Sequence, residues 1–367
     1  MFRKIIDFCV KNGFLKLTEN SLPNEIQIEV GLPGALLEEN LKREWFDNFL
    51  NSKEIPVFYN KGDFKDTYIQ AKKLMMNVMP FGIIELKSFV NKSRNKENSL
   101  LIGTDSSELS SSFSDYFMND SRLLYTIFLP PTTANQSFHQ IQRQRKIWWR
   151  KISASPGRYT LGDIQNGETT LDASYSSVNI YAKYPWGNQL LESIKSYSNR
   201  YPGLSHADSL IRDGRKEVPA VYIQCETSLS NLFLNSLCDA YEEPVFQGEK
   251  RPLLRFHRKI APFKISFSLP SSSNTELFKE LQGLALYLTK LLRNNYITTL
   301  LLPSNARKTL DAQYKQYDEL GIPFNVHLNE ATLKDGIAWL RSRDTTLKEQ
   351  VHVAELVRYI EKIYKNF

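Results

Sequence analysis

Cysteine is scarce in this sequence. Its 367 residues include only Cys9, Cys225 and Cys238. Three scattered thiols cannot build a disulfide scaffold, and with no Cys-x-x-Cys pair a structural zinc site is not expected. Such usage fits a reducing compartment. No apolar run approaches the ~18–20 residues that a membrane-spanning helix needs. The familiar catalytic signatures are missing too: there is no Gly-x-x-x-x-Gly-Lys-Ser/Thr, no Gly-x-Ser-x-Gly and no His-Glu-x-x-His. The five histidines (His139, His206, His257, His327, His352) are far apart, none with a second ligand at metal spacing. The residues therefore call for no metal and no cofactor.

What is present is ordinary globular material, 41% hydrophobic and 24% charged, enough for a real core and for two domains. The start, MFRKIIDFCVKNGFLK, is not a secretory signal, because Asp7 and Lys11 interrupt any apolar stretch. It is basic and can form an amphipathic helix, which suits either a short mitochondrial leader or a first structural helix.

Charge is unevenly placed. The chain carries +7, and no acidic residue falls between Asp120 and Asp163. That window holds Arg122, Arg143, Arg145, Lys146, Arg150, Lys151 and Arg158, so it accounts for the whole net charge. Its centre is Gln-Arg-Gln-Arg-Lys-Ile-Trp-Trp-Arg-Lys. Cations can neutralise phosphates and tryptophan can stack on exposed bases. The same pattern also suits a helix whose tryptophans and Ile147 are core and whose cations are solvated. Helical spacing puts Arg143, Lys146 and Arg150 on one face and Arg145 opposite. Asp213-Gly214-Arg215-Lys216 reads as a turn with a basic tip. In Arg341-Ser342-Arg343-Asp344, Asp344 is placed to cap a following helix.

Periodicity and breakers predict helices over 35–50, 62–79, 135–150, 186–201 and 230–241, and strands over 83–90, 123–129 and 220–224. Residues 91–120, rich in Ser and Asn, read as a surface loop, and 154–172 as loop-like. A linker is expected near 243–260. Beyond it, strands at 264–269, 297–302, 323–328 and 336–340 alternate with helices at 276–294 and 305–320, and a closing helix spans 346–364. That alternation predicts a mostly parallel sheet covered by helices.

Leu340-Arg341-Ser342-Arg343-Asp344-Thr345-Thr346-Leu347-Lys348-Glu349-Gln350 resembles the anticodon-binding domain of class II aminoacyl-tRNA synthetases of the glycyl/prolyl/threonyl group. A longer series of blocks resembles the accessory (beta) subunits of mitochondrial DNA polymerase gamma. In order these are Asp7–Leu15, Glu44-Trp45-Phe46, Pro80-Phe81-Gly82, Pro130-Pro131-Thr132 with Asn135-Gln136, and Trp148-Trp149-Arg150-Lys151 with Ser155-Pro156. Tyr184–Gly187, Arg212–Lys216, His257-Arg258-Lys259 with Ala261-Pro262, and Asp335–Val353 complete it, so nearly the whole chain is covered.

The resemblance implies an α/β fold in two parts. Residues 1–250 form a degenerate class II synthetase-like domain built on an antiparallel sheet, and residues 251–367 an anticodon-binding-like domain. It also implies a non-catalytic processivity subunit of the mitochondrial replicase, in the matrix nucleoid. A working synthetase needs a Phe-Arg-x-Glu motif for the ATP α-phosphate, and none is found. It also needs a glycine-rich turn with an arginine, where this chain has Cys225-Glu226-Thr227-Ser228-Leu229-Ser230-Asn231.

For DNA binding the residues chosen are Arg143, Arg145, Lys146, Arg150, Lys151, Arg215 and Lys216. For the catalytic subunit they are Glu276, Asp318, Gly336, Ile337, Leu340 and Arg341, the strand with its flanking glycine permitting close backbone approach. Vertebrate members carry an inserted helical bundle that makes them dimers. Here 34 residues separate Trp45 from Pro80, room for one helix, which resembles the short insect form and implies a monomer in a one-to-one complex with the catalytic subunit on primer–template DNA. The alternatives are an active class II synthetase and a synthetase-derived tRNA-binding protein.

Overall fold

The computed structural model describes the chain except residues 20–25, 52–53, 91–111, 169–173, 214, 247, 272–273, 304–307 and 366–367. Most of the expected Ser/Asn-rich loop at 91–120, Gly214 of the basic tip and the expected start of the 305–320 helix lie outside the described residues.

The first part opens with α1 (Phe2–Lys11), the hairpin β1 (Leu15–Glu19) and β2 (Ile26–Val30), and α2 (Leu32–Leu50). Phe2, Ile5, Ile6, Phe8 and Cys9 of α1 are buried in the main core. The Gly31 that starts α2 must be a glycine, because a Cβ there would stand 1.9 Å from the Gly13 carbonyl oxygen. Then come β3 (Val57–Asn60), α3 (Phe64–Leu74), β4 (Phe81–Val90), β5 (Asn119–Leu129) and α4 (Pro131–Lys151). Among the described residues, the segment between Trp45 and Pro80 thus holds the end of α2, β3 and the single helix α3.

Short β6 (Tyr159–Leu161) and β7 (Gln165–Glu168) precede the long hairpin β8 (Ser174–Tyr184) and β9 (Gly187–Tyr197). After α5 (His206–Ser209), β10 (Leu210–Asp213) and β11 (Lys216–Pro219), strand β12 (Val221–Ser228) runs into α6 (Leu229–Ala240). Eight strands form one sheet in the order β3-β4-β5-β12-β9-β8-β6, with β7 also on β8. Only β3–β4 is parallel. Alternation divides its faces. Tyr125, Ile127 and Leu129 enter the core with α2, α4 and α6, while Phe128 joins Phe81, Ile83 and Tyr222 beneath Tyr68 of α3. Every residue of α6 is buried.

The expected helix over 186–201 is corrected to strand β9. Between Ile180 and Tyr181 the β8–β9 register shifts, Ile180 facing Glu192 and Tyr181 facing Leu190. The bulge leaves Leu191 unpaired and reverses the alternation. The buried set becomes Gln189, Leu191, Glu192 and Ile194, a spacing that imitates a helix.

Four short strands bridge the two parts: β13 (Tyr241–Glu242), β14 (Val245–Phe246), β15 (Glu249–Lys250) and β16 (Leu253–Leu254). Leu254, Phe256, Ile260 and Ala261 pack into the first core. The second core begins at Ile265. Its elements are β17 (Ile265–Ser268), α7 (Thr275–Asn294), β18 (Thr299–Leu300), α8 (Leu310–Glu319), β19 (Phe324–His327), α9 (Glu330–Asp335), β20 (Ile337–Ser342), β21 (Lys348–His352) and α10 (Leu356–Lys365).

The five strands lie in the order β18-β17-β19-β20-β21. The sheet is mixed rather than mostly parallel, since β19–β20 and β20–β21 are antiparallel. The expected closing helix over 346–364 is corrected to an edge strand followed by a shorter helix. Asp344 therefore caps no helix and instead accepts from the Arg343 guanidinium. Arg343 itself is buried and ties the parts together, donating to the carbonyls of Leu254, Phe256 and Gly321 at 3.1, 2.9 and 2.8 Å.

Candidate nucleic-acid interface

Pro130 and Pro131 end β5 and start α4, proline at the first helical turn giving up no needed donor. Arg150 and Lys151 close the helix, where cations complement its dipole. Phe138, Ile141, Gln142, Arg145, Trp148 and Trp149 form its buried face.

Arg145 is 0% exposed. Its guanidinium donates to both Glu192 carboxylate oxygens, at 2.7 and 3.1 Å, and to Asn48 Oδ1 at 2.7 Å. It also lies 4.7 Å from the Phe49 ring centroid and 4.3 Å from that of Trp148. Trp149 Nε1 donates to the same Glu192 at 2.6 Å. Arg145 is thus removed from the DNA-contacting set: it sits on the opposite side of the helix and is consumed by a buried carboxylate. The tryptophans are likewise core, and neither presents a ring to a base.

Two more cations of the acid-free window are matched by acids from elsewhere in the chain. Arg122 pairs with Glu226 at 3.0 Å, and Arg158 with Asp239 at 3.0 Å. Arg143, Lys146, Arg150 and Lys151 remain, with no carboxylate partner among the described residues. The window's +7 is therefore, in three dimensions, about four net positive charges on one helix. Arg143, Arg150 and Lys151 are exposed and Lys146 half-buried, with Ile147 exposed among them.

Thr132, at the start of α4, donates to Asp213 Oδ2 at 3.2 Å. Thr132, Arg143 and Arg150 fall on the same side of the helix, 11 and 18 residues apart. The separation along the axis is roughly 16 and 27 Å. The β10–β11 hairpin, with exposed Arg215 and Lys216, is thereby tied to the far end of the same face. Gln136, His139 and Gln140, also exposed, line the stretch between. Sequence reasoning missed these three, although the wheel run backwards from Arg143 passes through them.

Most of the residues chosen for docking have other duties. Arg341 and Asp318 make a buried two-pronged pair at 2.8 and 2.9 Å. Leu340 belongs to the second core, and β20 is an interior strand whose edge is covered by β21. Arg341, Asp318 and Leu340 are therefore withdrawn as contact residues. Gly336 caps α9 at φ +73°, and a Cβ there would lie 2.5 Å from His352 Nε2, so its glycine serves the turn. Glu276, exposed in the first turn of α7, and the half-buried Ile337 stay available.

At the place matched to the synthetase nucleotide turn, Ser228 caps α6, and Asp120 accepts from the hydroxyls of Ser228 and Ser230 and from the Ser230 amide. A carboxylate fills the hydrogen-bonding capacity there. Among the described residues no group of three His, Cys, Asp or Glu is placed to hold a metal ion, and no helix is long and apolar enough to cross a membrane.

Residues 268–363 match the family described as anticodon binding domain. The chain is 30% identical over 256 residues to the mitochondrial DNA polymerase subunit gamma-2 of Drosophila melanogaster, covering 66% of this chain and 67% of that protein. To the DNA polymerase subunit gamma-2 of Bos taurus it is 31% identical over 245 residues, 64% of this chain and 49% of the relative. A glycine–tRNA ligase of Borreliella burgdorferi is 26% identical over 255 residues, 65% of this chain and 54% of that enzyme. The chain thus spans about half the length of the cattle protein and two thirds of the fly one. With a synthetase-like sheet, an anticodon-binding fold and this depth of identity, the chain belongs to the family of DNA polymerase gamma accessory subunits.

Proposed function

We propose that the chain is a non-catalytic subunit of the mitochondrial replicative DNA polymerase, located with it in the matrix nucleoid. It binds the catalytic subunit and adds contacts to primer–template DNA. The observation that carries this reading is the unpaired cationic face of α4, Arg143, Lys146, Arg150 and Lys151, continued by Arg215 and Lys216. Each cation set against a phosphate releases counterions and slows departure from DNA. The interaction is with backbone rather than bases, because the tryptophans are interior.

The synthetase-derived unit, expected to end at 250, is proposed to extend through Ala261, because Leu254, Phe256 and Ile260 pack into the first core. The anticodon-binding-like unit, expected from 251, is proposed to begin its own core at Ile265 and to dock on the catalytic subunit through residues such as the exposed Glu276 and the half-buried Ile337. The single helix between Trp45 and Pro80 supports a monomeric subunit in a one-to-one complex. The carboxylate-filled turn around Ser228 supports the absence of adenylate chemistry, since that position offers no cationic clamp for ATP.

Co-purification with the catalytic chain, followed by sedimentation of the complex, tests the assignment. A one-to-one complex is expected. Failure to bind, or amino-acid-dependent ATP–pyrophosphate exchange by the chain alone, contradicts it.

A further inference from the structure

A second concentration of cations lies in the C-terminal part, sharing no residue with the α4 face. A cavity of about 500 Å³ is lined by Lys250 and Arg251 of the bridging segment, Lys315 of α8, Arg341 of β20 and Lys348 of β21. Two lining carboxylates, Glu249 and Asp311, and the buried Asp318 that pairs with Arg341 oppose these five cations, which leaves about two net positive charges. Asp311 is already held by Arg251 at 2.7 Å.

Arg341 and Lys348 stand directly opposite one another on adjacent antiparallel strands. Like charges in that position destabilise a sheet. Both sit over one aromatic ring, 4.7 and 5.1 Å from the Tyr314 centroid. Asp318 offsets Arg341, but nothing among the described residues pairs with Lys348 or Lys315. Tyr314, another wall of the cavity, is 7% exposed, and its buried hydroxyl has no hydrogen-bond partner. Native structures rarely leave such a donor unused.

We propose that this cavity binds a phosphate-monoester anion of nucleotide size. A dianion offsets the surplus of positive charge and accepts hydrogen bonds from lysine ammonium and guanidinium groups. The volume lies within the range of small-molecule sites and exceeds what a bare phosphate fills. The binding is independent of the polymerase reading and needs neither the catalytic chain nor DNA.

The test is thermal unfolding and calorimetric titration of the full chain with inorganic phosphate and, separately, adenosine 5′-monophosphate, against chloride at matched ionic strength. Saturable stabilisation by the nucleotide, tighter than by phosphate, is expected. Lys348 is exposed, so the free Lys348→Gln variant is expected to melt close to the parent while its nucleotide affinity falls at least fivefold. Lys315→Gln falls likewise. A response no greater than that to chloride, unchanged affinity in both variants, or binding of an RNA hairpin with none of either small anion overturns the proposal.

Discussion

Arg145 and Glu192 meet in a two-pronged ion pair with both side chains fully buried, 47 residues apart in the chain. The pair joins α4 to β9, and Trp149 donates to the same carboxylate. The most basic stretch of the sequence is thus anchored to the sheet by its one inward-facing cation, which leaves the others pointing outward.

Arg145→Ala strands Glu192 in the core without its partner. Breaking a buried pair from one side costs about 3–5 kcal/mol. Exposed Arg143→Ala is expected to stay within about 0.5 kcal/mol of the parent. Urea unfolding of the two variants checks the contrast. Equal stability would return Arg145 to the surface set.

Replacing Arg143, Lys146 and Arg150 together with alanine removes three candidate phosphate contacts. The slope of log binding constant against log salt is expected to become shallower by up to about 2.7. Fluorescence anisotropy of labelled duplex, measured with the complete polymerase complex across a salt series, reads this directly. The triple variant should fold normally, because none of the three side chains is in a core.

Two histidines make the fold sensitive to acid. Burial, and then the nearby Arg258, Lys259 and Lys264, holds the His257 imidazole down at about 4. Burial, with Lys348 adding to it, holds His327 at about 4 as well. In the unfolded chain both titrate near ~6.5. As pH falls from about 6.5 to 4 the unfolded state takes up protons that the folded state refuses, so stability is full above this window and declines through it. Chemical denaturation in steps from pH 7 to 4 is expected to show a shallower decline for a His257→Gln/His327→Gln variant than for the parent. Parallel curves would contradict the assignment.

Much of this architecture was legible in the residues. The three-to-four-residue spacing of Leu36, Leu37, Leu41, Trp45 and Phe49 announces α2, although Leu36 is exposed and only the other four are buried, and Pro130-Pro131 marks the junction of β5 and α4. The acid-free window located the cationic helix. What escaped were features set by partners distant in sequence. The β9 bulge converts a period of two into an apparent helix. In β21 only Val351 is buried, so an edge strand showed no alternation to separate it from α10. The fates of Arg145, Arg341 and Asp318 depended on carboxylate–guanidinium encounters that no local pattern announces.

Primer extension with the catalytic subunit at moderate salt tests whether this chain holds a replicative polymerase on its template. Product length on a single-primed template would be measured with no added chain, with the parent, and with the Arg143/Lys146/Arg150 triple alanine variant. Longer products are expected with the parent, and a partial loss of that gain with the variant. Product lengths unchanged by adding the parent chain would contradict it.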